Sequence, residues 1–221
     1  MVQARAARIT QTGGPEAIEF VDADLPPPAP GEARVRHTAI GLNYIDTYHR
    51  SGLYPVNLPS GLGVEAAGVV EAASDGVTFK VGQRVATFGP QLGAYATARN
   101  VPAAQLFALP DSISDETAAA GLLKTCTVEA IVERAARVQR GDWCLVHAAA
   151  GGVGLILVQW LKHLGANVIG TVSTDAKETL AREAGADHII RYKDEDVAPR
   201  TRELTGGTGV AVSFDGIGAT T

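Results

Sequence analysis

Two textures of hydrophobic and polar positions divide the chain. In the first half apolar residues recur in short alternating runs. In "ARVRHTAI" Val35, His37 and Ala39 alternate with Arg34, Arg36 and Thr38, and "GVVEAA", "QRVATF" and "AYATA" follow between turn residues. A period of two turns one side of a strand to a core, so this half is expected to be mostly β. The proline-rich "LPPPAPGE" is read as an exposed extended connection between two of these strands, because β patterning resumes at once. From Ser114 the pattern turns helical, with Ser114 as N-cap, Asp115 and Glu116 suited to the positive end of the helix dipole, and Gly141 past the end. Strands then alternate with helices: strands at "WCLVHA", "ANVIGTV", "DHII" and "VAVSFD", helices near 152–164, 175–184 and 195–204. Right-handed crossovers fold such a βαβαβαβ run into a parallel sheet.

Composition narrows the class. With 221 residues, 46% hydrophobic and 19% charged, the chain can bury a core and holds one large or two modest domains. A formal net charge of −5 offers no basic field for nucleic acid and no polybasic patch for a membrane, and the apolar runs fall short of the ~20 residues that span one. "MVQARAARITQTGG" lacks the apolar core of a secretory signal. Cys126 and Cys144 are too few for a disulfide framework or a four-thiolate zinc site, so a reducing cytoplasm is expected.

Chemistry enters at "VHAAAGGVGLILVQW", Val146 to Trp160. Strand, then Ala149-x-Gly151-x-x-Gly154, then helix is the unit that aims backbone N–H groups and a positive helix end at a pyrophosphate, here with alanine for the first glycine. Gly151 and Gly152 lack the Cβ that would collide with phosphate, and Gly154 lets helix and strand pack tightly. Gly151, Gly152, Val153 and Gly154 are therefore candidate cofactor residues; the bland alternative, a plain glycine turn, loses ground to the βα units that follow. An NAD site wants a carboxylate at the end of the second strand, about 20 residues past the glycines, whereas NADP's 2′-phosphate wants a cation there. That strand ends at Ser173. Asp175 is better placed to cap the next helix, while Lys177 in its first turn opposes the helix dipole unless an anion offsets it. Ser173, Thr174 and Lys177 are read as a 2′-phosphate cradle, hence NADPH rather than NADH. Tyr192 could close over the phosphate or adenine, or pack on the sheet edge.

Four blocks, "AIGLNYIDTYHRSGLYP", "LPSGLGVEAAGVV", "HAAAGGVGLILVQWLKHLGA" and "FDGIGATT", together resemble the NADPH-dependent quinone oxidoreductases, the zinc-free, zeta-crystallin-like branch of the medium-chain dehydrogenases/reductases. The similarity runs from about Gly13 to the last residue. It implies an α/β protein with a β-rich part: a GroES-like catalytic domain over 1–124, then an NADPH-binding Rossmann domain, a doubly wound parallel sheet, over 125–221, with substrate in the cleft between. It also implies a homodimer. Members are substantially longer, so both domains are expected to be incomplete at Thr221, with the fourth strand an apolar open edge; either the sequence is a fragment or something else covers that edge.

The zinc alcohol dehydrogenases of the same superfamily carry a zinc-ligating cysteine and histidine where this chain has Asn43 and Val64, both poor ligands. Glu65 is then structural, and His37, His49, His147 and His163 show no ligand spacing, so no metal is expected. A quinone or enone is already electrophilic and needs only alignment and a hydrogen bond to the oxygen that gains charge. The resemblance puts Tyr48, the preferred donor, and Tyr54 in the block lining the catalytic cleft. Asn43 would hold the nicotinamide side or orient the acceptor. Lys124 and Thr127 on the crossing helix, and Gly216 after the fourth strand, are further cofactor candidates. Hydride would pass from NADPH to a quinone; the alternatives are an α,β-unsaturated carbonyl as acceptor, or a non-catalytic dinucleotide-binding or crystallin-like structural protein.

Overall fold

A computed structural model describes residues 2–218, and the chain falls into two compact units, Met1–Leu123 and Lys124–Thr221. The first unit opens with β1 (Val2–Ile9), β2 (Glu19–Leu25) and β3 (Glu32–Gly41), followed by α1 (Tyr44–Ser51), β4 (Ser60–Gly61) and β5 (Glu65–Ala73). It continues with β6 (Arg84–Phe88), β7 (Ala98–Pro102) and β8 (Leu106–Ala108), and α2 (Asp115–Glu129) starts within it. Strands β2-β1-β4 form one antiparallel sheet, and β7-β3-β5-β6-β8 form a second. Ala33, Val35, Val70, Val85, Val101 and Leu106 cluster in the core of the larger sheet, while Ala67 and Ala86 pack with Ala118 and Ala119 of α2. The inward positions of β1 are Ala4, Ala7 and Ile9. Two alanines among arginines make a faint apolar signal, which is why the alternation did not single this strand out.

Two expectations need correction here. The alternation puts Arg34 on the polar side of β3, yet it is 5% exposed, and its neighbour Val35 is buried as well. The β3–β5 register shifts between these two residues, and a bulge lets consecutive side chains turn inward. The buried guanidinium is satisfied by Asn100 Oδ1 at 3.2 Å and by the carbonyls of Leu25 and Pro26. The carbonyl acceptors belong to the end of β2 and to the proline-rich connection, which is extended and mostly exposed as expected. The run "AYATA" is not a strand: β7 begins only at Ala98, and the preceding residues give a single bridge, Ala6 to Ala96, with Tyr95 and Thr97 bonding across to β1. Alternation reports one buried side, and a connecting segment pinned to a sheet edge has that too.

The second unit is built on β9 (Trp143–Val146), α3 (Gly152–Leu164), β10 (Asn167–Val172), α4 (Asp175–Glu183), β11 (His188–Arg191), α5 (Val197–Leu204) and β12 (Val212–Phe214). Among the described residues its strands are all parallel, in the order β11-β10-β9-β12. This is the 3-2-1-4 order of a doubly wound sheet. Successive residues of the central strands serve opposite layers: Cys144, Val146 and Val168 join Leu157, Val158 and Leu161 of α3, whereas Leu145, Ile169 and Ile190 meet Val197 and Leu204 of the α5 layer. Buried Gly154, Leu157, Val158 and Leu161 follow the i, i+3, i+4, i+7 spacing of one helix face. Trp143 stacks on His188 at 5.7 Å, and the Trp160 indole donates to Glu133 at 2.8 Å.

Ser114 accepts the Thr117 N–H at 3.1 Å, the N-cap bond expected of it. The other end differs from expectation. After Glu129 the helix widens to a π-helical stretch, Ala130–Ala136, and stops at Arg137, whose φ of 54° is left-handed; Gly141 serves the later turn into β9. The pattern of apolar residues does not register a change of pitch, because Val128 and Val132 still reach the same core.

Truncating Leu161, fully buried between α3 and the sheet, to alanine should destabilise the second unit by about 2–5 kcal/mol, read from the denaturant midpoint. In the first unit the His37 Nδ1–H meets the Ala96 carbonyl at 2.8 Å. Burial, assisted by the Arg99 charge, pushes this imidazole down from 6.5 to about 4. The unfolded chain takes up the proton near the ordinary value and the folded one only near the lowered value. Stability should therefore be fully present above about pH 6.5 and fall by about 3 kcal/mol as the pH drops towards about 4. Urea midpoints across this window should flatten in His37→Asn; an equal slope in that variant would assign the effect elsewhere.

Candidate active site and coenzyme site

In the first unit the candidate residues gather around α1. Its N-cap, Asn43, donates its backbone N–H to Asp46 Oδ2 at 2.9 Å, and the Tyr95 hydroxyl donates to the same oxygen at 2.6 Å. Burial, and then the bond to Asp46, hold the Tyr95 phenol far above its ordinary range, so it stays a donor. The Asn43 side-chain amide donates to Glu65 Oε2 at 2.7 Å, and Glu65 Oε1 accepts the Leu123 N–H at 2.6 Å. Glu65 is completely buried. Because a carboxylate only accepts, it fixes which end of the Asn43 amide faces it.

At the other end of α1 the chain turns through Gly52, left-handed at φ 83°, a conformation that favours glycine. The turn brings Tyr54 back so that its N–H meets the Tyr48 carbonyl at 3.1 Å and its ring lies 5.2 Å from the Tyr48 ring. Tyr44 packs edge-on against Tyr48 at 5.3 Å. Tyr48 is half-buried and touches two aromatic rings, Tyr54 is exposed, and Tyr48 and Tyr54 are brought together.

In the second unit the turn after β9 carries the strain. The left-handed residue is Ala148, at φ 50°, one position earlier than the alanine-for-glycine substitution at Ala149. Ala149 is buried and donates its N–H to the Thr171 carbonyl at 3.1 Å. A Cβ on Gly154 would collide with the Ala148 carbonyl oxygen and lie 2.8 Å from that of Ala149, so only glycine lets α3 start this close to the turn. Gly151 is the N-cap of α3, with no side-chain cap bond and no acidic residue in the first turn. That leaves a helix start suited to an anion. The Lys124 side chain lies over Gly152, where a Cβ would come 3.0 Å from its Cε.

A cavity of about 500 Å³ opens at the carboxyl ends of β9 and β12, where the strand order reverses, the usual place for a ligand in such sheets. It is lined by the expected Thr127, Gly151, Val153, Gly154 and Gly216, together with Ile131, His147, Ser213 and Asp215. A smaller cavity shares Gly151 and is lined by Ser173, Lys177 and Tyr192 beyond β10 and β11. Thr174 does not line either cavity; it is the N-cap of α4, its Oγ1 accepting the Lys177 N–H at 3.4 Å. This corrects the expectation that Asp175 caps the helix. Asp175 is its first residue and pairs instead with Arg191. His147 and Ser213 are not singled out by the sequence as cofactor residues, although His147, just past β9 and beside the glycine turn, and Ser213, in β12 shortly before Gly216, lie where that signal was available. The uncapped helix start, the bare backbone at Gly151, Gly152 and Gly154, and the Lys177 cavity fit a phosphorylated dinucleotide.

Comparison with known proteins places these features in a family. Residues 29–111 match the alcohol dehydrogenase GroES-like domain, and residues 152–221 match a domain described as zinc-binding dehydrogenase. Zinc does not fit here: Asn43 has its amide bonded to Glu65, and Val64 is a buried apolar residue, so neither position offers sulfur or imidazole. The quinone oxidoreductase of Pseudomonas aeruginosa is 48% identical, over 99% of this chain and 68% of that protein. A 2-haloacrylate reductase of a Burkholderia species is 46% identical over 98% of this chain and 67% of its own length. The crystal structure of Escherichia coli quinone oxidoreductase complexed with NADPH superposes with a TM-score of 0.93 at 46% identity, covering 96% of this chain and 65% of that one. The chain thus spans about two thirds of the length of these relatives. It belongs to the quinone oxidoreductase family of the medium-chain dehydrogenases/reductases.

Proposed function

We propose that this protein reduces quinones, with NADPH as reductant and without a metal ion. The observation that carries the reading is the uncapped start of α3 beneath the glycine turn, next to a cavity lined by Ser173, Lys177 and Tyr192. When bound, the reduced nicotinamide supplies a hydride to the acceptor. The backbone N–H groups of Gly152, Val153 and Gly154 hold the pyrophosphate. Lys177, with Ser173 and Tyr192, receives the 2′-phosphate, Thr174 holds the first turn of α4 that carries Lys177, and Lys124, Thr127 and Gly216 contact the rest of the coenzyme. Asn43, oriented by Glu65, contributes from the first unit. Tyr48, its ring fixed by Tyr44 and Tyr54, donates a hydrogen bond to the acceptor oxygen as negative charge builds there. The reading includes a cytoplasmic location and pairing of two copies. A second acceptor class, an activated alkene, is favoured by one relative, the 2-haloacrylate reductase.

Loss of NADPH absorbance, followed with 1,4-benzoquinone and with 2-chloroacrylate, tests the reading: turnover with the quinone is expected, turnover with the chloroacrylate alone would transfer the protein to the second class, and binding without turnover would refute both. Tyr48→Phe should lower kcat/KM for the quinone by about tenfold or more while leaving NADPH affinity unchanged. Lys177→Ala should weaken NADPH binding by about tenfold, the loss of one charge-assisted hydrogen bond, and change NADH binding by less than about twofold in a fluorescence titration.

A further inference from the structure

We propose that Arg191 sets the preference for NADPH by neutralising Asp175, a carboxylate that would otherwise repel the 2′-phosphate. The inference rests on the coenzyme reading above and adds a residue to it. Asp175 follows Gly154 by about the spacing at which an NAD site places its ribose-binding acid. It stands between Thr174 and Lys177 at the start of α4, and it is not the helix cap, a role Thr174 fills. With its side chain 84% exposed, its charge has no burial to suppress it. Left alone, it would make this corner of the sheet an acceptor for ribose hydroxyls and hostile to a phosphate.

Arg191 prevents that. It is the last residue of β11 and lies directly across from Val172, the last residue of β10, so its side chain leaves the sheet beside the segment that carries Asp175. Its Nη1 pairs with Asp175 Oδ1, and its Nε lies 3.1 Å from Asp194 Oδ2. A guanidinium is planar and always charged, and can serve two carboxylates at once, which a lysine could not do with the same fixity. The following residue, Tyr192, lines the Lys177 cavity, so one strand end supplies both a wall of that cavity and the group that silences the neighbouring acid. Arg191 acts here through Asp175, as a specificity-determining residue that need not touch the coenzyme.

The test is the ratio of NADH to NADPH dissociation constants, measured by fluorescence titration of the full chain and of Arg191→Gln, Asp175→Asn and the double variant, each checked by far-ultraviolet circular dichroism. Arg191→Gln should lower the ratio about tenfold or more, Asp175→Asn should keep or raise it, and the double variant should return to within about threefold of the parent. A ratio unchanged in Arg191→Gln, or a double variant as impaired as Arg191→Gln, would overturn the proposal; the latter would make Arg191 a direct phosphate ligand. Should Arg191→Gln fail to fold, Asp175→Asn against the double variant decides the question, since neutralisation predicts equal ratios and direct contact predicts a lower one in the double. Failure of the NADPH reading would show separately, as a parent protein that binds NADH as well as NADPH.

Discussion

The missing side chain at position 154 is the constraint on which the second unit depends. Helix α3 can begin beneath the carbonyls of Ala148 and Ala149 only because nothing projects from Gly154. That approach brings Leu157, Val158 and Leu161 onto the sheet and at the same time leaves the first turn of the helix uncapped at the strand ends. Core packing and anion affinity therefore come from one backbone arrangement, and a residue that damaged the first would damage the second. The left-handed Ala148 is part of the same arrangement, a conformation that disfavours any residue with a Cβ by about 1–2 kcal/mol and is tolerated because the surrounding bonds hold it.

In the first unit a buried carboxylate plays the corresponding part. Where zinc enzymes of the superfamily organise this region around a metal, here Glu65 accepts from Asn43 on one side and from the backbone of α2 on the other. Asp46 adds a second anchor by accepting from Asn43 and Tyr95. The start of α1 is tied down by four donor groups, and this rigidity is passed to Tyr48 one turn further along. A buried carboxylate is expensive to leave without donors, so Glu65, with a donor on each oxygen, and Asp46, with two donors on Oδ2, hold their partners in fixed positions.

What the sequence disclosed depended on how local the governing interaction was. The parallel sheet, the limits of α3 and the glycine turn were legible because period, capping and phosphate-binding geometry are written in neighbouring residues. Arg34 was misjudged because its orientation depends on a bulge between β3 and β5, and "AYATA" because pairing to β1 imitates a strand's alternation. The π-helical end of α2 left no trace in the apolar spacing. Chain position alone suggests a capping role for Asp175; its partner, Arg191, is distant in sequence and adjacent only across the sheet. Asn43 was recognised from a sequence block, but its bond to Glu65 could not be read there. Tyr48 and Tyr54 were close enough along the chain for a reverse turn at Gly52 to unite them.

The placement of the indole rings gives the molecule an optical asymmetry. Both tryptophans, Trp143 and Trp160, belong to the second unit, one stacked on an imidazole and the other bonded to a carboxylate, while Tyr44, Tyr48, Tyr54 and Tyr95 belong to the first. Light absorbed selectively by indole therefore reports on the nucleotide-binding half alone. An emission change on unfolding that precedes or follows the loss of far-ultraviolet ellipticity would show the two halves melting as separate cooperative blocks.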